Sequence, residues 1–152
     1  IDPDGDLRLE IGPNNVAFIV CSRALCRASP VFKMMLRGGF AESKPTHGEW
    51  LVKLPEDHPG ALFILFNIIH GNFDRIPQIL VEEKLYYLTI MTDKYDMTKS
   101  LRPWAARWLE RIADAGRTLN TGARRIWIAW ELGDVKLFEW EAQYLLLNSE
   151  TD

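Results

Sequence analysis

The feature that most constrains this chain is how early its two-residue hydrophobic alternation stops. Leu7, Leu9 and Ile11 alternate with Arg8 and Glu10, the pattern of a strand with one buried face. Gly12-Pro13-Asn14-Asn15 supplies turn residues, and Val16 to Val20 is β-branched and aromatic, so the first twenty residues predict a hairpin. Only Leu51 to Leu54, after Trp50, suggests another short strand. The rest of the chain repeats its apolar residues at spacings of three and four. Strands this few and this short cannot build a doubly wound sheet with a nucleotide crevice. The predicted class is α+β: a short sheet packed against a cluster of helices, with extra helices at the C-terminal end.

Ser22 stands where an N-cap belongs, ahead of a short helix to Ala28. Ser29-Pro30 is a second start, since the hydroxyl can cap while proline takes the first helical position. Val31, Met34 and Met35 are expected on the inner face of that helix, and Gly38-Gly39 ends it. Pro55-Glu56-Asp57 opens an apolar helix from about His58 to His70, stopped at Gly71. Val81 to Tyr95 places Leu85, Leu88, Thr92 and Tyr95 on one face and Glu82, Glu83 and Lys84 outward. Leu101, Trp104, Trp108, Leu109 and Ile112 mark the next helix, which Pro103 requires to begin near Thr98 or later. Gly116 to Gly122 reads as a loop, followed by helices from about Ala123 to Leu132 and from Val135 to Leu147.

A net charge of −3 gives no global pull toward nucleic acid or an anionic membrane. One stretch departs from this balance: Lys99, Arg102, Arg107, Arg111, Arg117, Arg124 and Arg125 face only Glu110 and Asp114. Arg102, Arg107 and Arg111 fall opposite the Trp104, Trp108 and Ile112 stripe, as the solvated side of an amphipathic helix would, so nucleic acid is not the expected partner. The longest apolar run, Ala61 to Ile69, is broken by Asn67 and is about half a membrane span. Ile1-Asp2-Pro3 opens the chain without a basic and then apolar signal pattern.

Cys21 and Cys26 lack zinc or redox spacing and are expected as reduced, largely buried thiols, which places the chain inside the cell, in nucleus or cytoplasm. His47, His58 and His70 are too far apart for a ligand set, so surface or capping roles are expected. Ser22 and Ser29 lack the context of a nucleophile, and Gly38-Gly39 lacks the lysine of a phosphate loop. No catalytic residue, metal site or cofactor is expected. Trp127 and Trp130, with Leu132, are expected to pack a small core against the helix ending at Ile112, and Trp140 lies further along the same tail.

Several blocks match a family in order and spacing. Asp6-Leu7-Arg8-Leu9, Phe18 to Leu25, Ala28-Ser29-Pro30-Val31-Phe32 and Gly38-Gly39-Phe40-Ala41-Glu42-Ser43 resemble the N-terminal half of a BTB/POZ domain. His70-Gly71-Asn72-Phe73 and Asp93-Lys94-Tyr95-Asp96-Met97 resemble its second half. The resemblance runs from about Asp6 to Ile112, implying a domain at 5–114 and a helical extension at 115–152, whose Ala129 to Asp134 is similar to fungal members. It implies a non-enzymatic protein-interaction module. Phe40-Ala41-Glu42 resembles the motif by which ubiquitin-ligase adaptors of the family meet a cullin scaffold. The alternative is a homo-oligomerising module of a nuclear regulator, using a charged dimer pocket. Asp6 matches that pocket's acid, while Arg23 stands one position late for its basic partner.

Overall fold

The computed structural model describes residues 1–113 and 119–149. Strand β1 (Leu7–Ile11) and strand β2 (Val16–Val20) form the expected hairpin. Gly12 and Asn15 turn the chain at φ of 72° and 50°, a region that glycine and asparagine tolerate. β1 also pairs in parallel with β3 (Leu51–Leu54), so it is the central strand of the order β2-β1-β3. Parallel neighbours need a crossover, and α1 (Ser22–Ala28) and α2 (Pro30–Arg37) lie within it.

Leu7, Leu9 and Ile11 of β1 and Val52 and Leu54 of β3 are buried together, each such side chain contributing roughly 1.5–3 kcal/mol of transfer free energy. Helix α3 (Pro59–His70) joins them, and Phe18 of β2 meets its Phe63 and Phe66 at ring distances of 6.0 and 6.3 Å. Asn67, the polar break in this apolar run, is buried but satisfied. Its amide donates to the Phe63 carbonyl at 2.8 Å and its oxygen accepts from Asn72 at 3.0 Å. Gly71 ends the helix at φ 79°, as its sequence position predicts.

Helix α4 (Glu82–Lys94) packs on α3, and a 3-10 turn at Thr98–Leu101 leads into α5 (Arg102–Ala113), with Pro103 in its first turn. Trp108, Leu109 and Ile112 are buried and Arg102, Arg107 and Arg111 exposed, as expected. Helices α6 (Leu119–Leu132) and α7 (Val135–Ser149) form a hairpin around Gly133 at φ 75°. Ile128, Ala129 and Leu137 belong to the same buried cluster as the sheet. No helix among the described residues is long and apolar enough to cross a membrane.

Five expectations need correction. The inner face of α2 is Phe32 and Leu36, while Val31 and Met34 are exposed and Met35 is half-buried. Helix α2 is apolar on both sides, and Phe32 prevails because its ring stacks on Tyr95 at 4.1 Å and meets Phe66 at 6.0 Å. Ser22 does not cap α1: Cys21 is the cap residue, and Ser22 lies inside the helix, buried. The two cysteines are half-buried rather than enclosed.

Helix α6 starts earlier than expected, so 119–122 is helical. Gly122 sits where α7 crosses, and a Cβ there would approach Leu145 to 2.9 Å. The remainder of the expected loop, 116–118, and the 114/115 boundary lie outside the described residues. Finally, α6 rests chiefly on α4 rather than α5, through Arg125, Ile128 and Ala129, which leaves Trp127 half-buried and Trp130 69% exposed. Trp127 still packs against the core, and its Nε1 donates to the Thr89 hydroxyl of α4 at 3.2 Å.

Candidate functional site

The chain turns sharply after α2, and that turn carries Phe40, Ala41 and Glu42. Gly38 caps the helix and Gly39 follows at φ 78°. The Gly39 N–H donates to the Ser43 hydroxyl at 3.1 Å, and the Ser43 N–H donates to the Phe40 carbonyl at 3.0 Å. From the far side the buried Trp50 donates its indole N–H to the Glu42 carbonyl at 2.8 Å. The backbone of 39–43 is therefore tied at both ends.

What this tie presents is Phe40, 57% exposed, with the half-buried Glu42 beside it. The Phe40 ring lies over the end of α2, where a Cβ on Gly38 would come within 2.8 Å of it. It continues the outer face of α2, and Pro30, Val31, Met34, Met35 and Phe40 line a shallow apolar groove of about 440 Å³. Met34 is 62% exposed in it. A clustered apolar surface of this kind on a folded domain commonly marks a place where another molecule sits.

Asp6 and Arg23 line one shallow depression, together with Lys44 and Trp50. The Asp6 carboxylate, however, is engaged by α1: it accepts from the Ser22 N–H and from the Ser22 hydroxyl, both at 2.8 Å. A carboxylate on the first turn of a helix satisfies a free N–H there. Burial works to raise the Asp6 carboxyl, but the two Ser22 bonds, its own N–H and the Lys44 charge outweigh that and hold it below its ordinary value. Among the described residues Arg23 forms no ion pair with Asp6.

No protein-family model matches this chain, and no curated protein matches it.

The histidines take local roles where the structure defines one. His58 caps α3, its Nδ1 accepting from the Ala61 N–H at 3.1 Å, and its ring stacks on Tyr87 at 4.4 Å. His70 accepts from the Cys21 N–H at Nε2, 3.0 Å away, so Nδ1 carries the proton and donates to the Phe66 carbonyl at 2.7 Å. His47 is exposed. Among the described residues no three His, Cys, Asp or Glu side chains gather as a metal site.

Two polar clusters escape sequence reasoning. Asp57 is buried and accepts from the Tyr95 hydroxyl and from the Lys94 ammonium, joining the turn before α3 to the end of α4. Arg125, a member of the basic stretch of the sequence, is 1% exposed. It pairs with Glu82 of α4 at 2.9 Å and with the buried Glu141 of α7 at 3.4 Å. The only sequence signal for the second is a charge within an otherwise apolar helical stripe, and Asp57, in the turn before α3, leaves none. Both clusters bind elements together.

Proposed function

We propose that this chain is an intracellular protein-interaction module of the BTB/POZ type, acting in the nucleus or cytoplasm as an adaptor that meets a cullin scaffold through the outer face of α2 and the Phe40 to Glu42 turn. The observation that carries this reading is the exposed Phe40 ring, continuous with Val31 and Met34 and flanked by Glu42. An aromatic side chain filling a partner's pocket supplies affinity, and an adjacent carboxylate sets register. The six ordered blocks of resemblance support the same assignment. The reading includes no reaction, cofactor or nucleic acid. The homo-oligomerising module of a nuclear regulator ranks second, because Asp6 is engaged in holding α1.

Light scattering on the chain mixed with a purified cullin N-terminal domain tests the proposal. A co-eluting complex is expected, lost on combining Phe40→Ala with Glu42→Ala, while stability stays within about 1 kcal/mol of the parent as for other surface changes. Absence of a complex, or one indifferent to the double substitution, overturns the adaptor assignment.

A further inference from the structure

We infer that the groove walled by the start of α3 and by the segment 75–84 is a binding site for a small amphiphile, an apolar body with an anionic head. The groove encloses about 440 Å³, within the range of small-molecule sites, roughly 300–1,000 Å³. Its walls are chiefly apolar. Ala61, Phe63 and Ile64 come from α3, and Ile79, Leu80 and Val81 from the segment that precedes α4. Ile79 is 61% exposed and Val81 60%, so the groove holds apolar surface that water still covers.

The polar side chains of the lining are Arg75, Lys84 and His58. Arg75 and Lys84 are exposed, and among the described residues neither forms an ion pair. His58 spends Nδ1 in accepting the Ala61 N–H, so Nε2 carries the hydrogen and is a donor, and the ring is held by stacking on Tyr87 at 4.4 Å. No carboxylate, amide or hydroxyl side chain lines the groove. Asp74 and Glu83, next to the two cations in the chain, are exposed but lie outside the lining, and Glu82 is committed to Arg125.

A trough of that make-up selects its ligand by sign. Covering Phe63, Ile79 and Val81 favours any apolar chain. A negative head then adds charge-assisted hydrogen bonds from Arg75 and Lys84, whose guanidinium and ammonium can only donate. A cationic head meets repulsion, and a neutral hydroxyl gains a weaker bond. The other apolar hollows lack this combination: Asp134 and Glu139 line the one at the α6–α7 turn, and no charged residue lines the one beside α2. Phe40 and Met34 are not part of the groove, so this inference does not rest on the cullin assignment.

Carboxylate and phosphate heads share this chemistry, and the test separates them. The full, isotope-labelled chain is titrated with octanoate, octyl phosphate, octanol and octyltrimethylammonium up to about 1 mM, and amide shifts are followed by NMR. At least one anionic probe should saturate, moving the amides of Ala61 to Ile64 and Ile79 to Lys84 and leaving those of Phe40 and Trp130 in place; the tighter of the two identifies the head. Octanol should bind about tenfold more weakly, and the ammonium should not bind. Combining Arg75→Gln with Lys84→Gln should bring the anionic probe to the level of octanol, and combining Arg75→Glu with Lys84→Glu should transfer the preference to octyltrimethylammonium, with circular dichroism unchanged. Salt at about 1 M should narrow the gap between octanoate and octanol, because screening there acts within about 3 Å. Failure of both anionic probes to saturate, octanol binding as tightly as they do, a preference that survives the paired Gln substitutions, or shifts centred on Phe40 or Trp130 instead would each overturn the inference.

Discussion

At the scale of single residues, Asp57 shows how a buried carboxylate sets the behaviour of its neighbours. Tyr95 gives its hydroxyl to Asp57 and is pushed well above its ordinary 10.0, first by burial and then by the bond to Asp57 and its charge. A raised folded value favours the neutral phenol, so the stability it contributes is complete below about pH 10 and lost as pH rises beyond it. Tyr95→Phe leaves the buried carboxylate one donor short, at a cost of about 1–3 kcal/mol in urea unfolding at neutral pH. The parent's advantage over that variant should shrink between pH 9 and pH 11. Asp6 carries the opposite sign: its lowered value stabilises the fold above about pH 4, and that contribution fades as acid protonates it. Asp6→Ala should cost about 1 kcal/mol near neutrality, as the loss of a helix cap does, and progressively less below pH 4. Asp6 was legible in the sequence only through the resemblance to BTB/POZ domains. A helix capped from sixteen residues upstream leaves no trace in local spacing, which is why Ser22 looked like the cap itself.

At the scale of elements, legibility depended on whether a segment had one apolar face or two. The β1 alternation, with Leu7, Leu9 and Ile11 buried, could be read directly because a strand with charged Arg8 and Glu10 between them has only one face to hide. Gly71 could be read because few residues other than glycine end a helix at φ 79°. Helix α2 could not: Val31, Met34 and Met35 make one stripe and Phe32 and Leu36 another, and only the positions of Tyr95 and Phe66 choose between them. The same choice makes the candidate site, because the stripe that loses the core becomes the surface around Phe40. The two stripes should respond very differently to truncation. Phe32→Ala is expected to cost about 3–5 kcal/mol and Leu36→Ala about 2–5 kcal/mol, whereas Met34→Ala should stay within about 0.5 kcal/mol. Chemical denaturation of the three variants checks this, and a Met34→Ala loss as large as the others would return that side chain to the core.

At the scale of the whole molecule, the bond between the C-terminal hairpin and the rest is electrostatic at its centre and apolar around it. Arg125 of α6 holds Glu82 of α4 and Glu141 of α7, while Ile128, Ala129 and Leu137 close over the same buried cluster that contains the sheet. Composition hid this, because an arginine in a run of arginines reads as solvated until its helix is seen to turn it inward. Arg125→Met fills similar space but withdraws the guanidinium that Glu82 and Glu141 share, and removing one member of a buried ionic set costs about 3–5 kcal/mol. Shared burial further implies that the parent unfolds as one unit, so tryptophan fluorescence, which includes Trp127, Trp130 and Trp140, should follow the same urea transition as far-UV circular dichroism. In Arg125→Met the hairpin's grip on α4 is what weakens, and the two signals should separate, with fluorescence changing at lower urea. Coincident transitions in the variant, shifted together, would mean that the apolar contacts of Ile128 and Ala129 hold the hairpin without help from the ionic cluster.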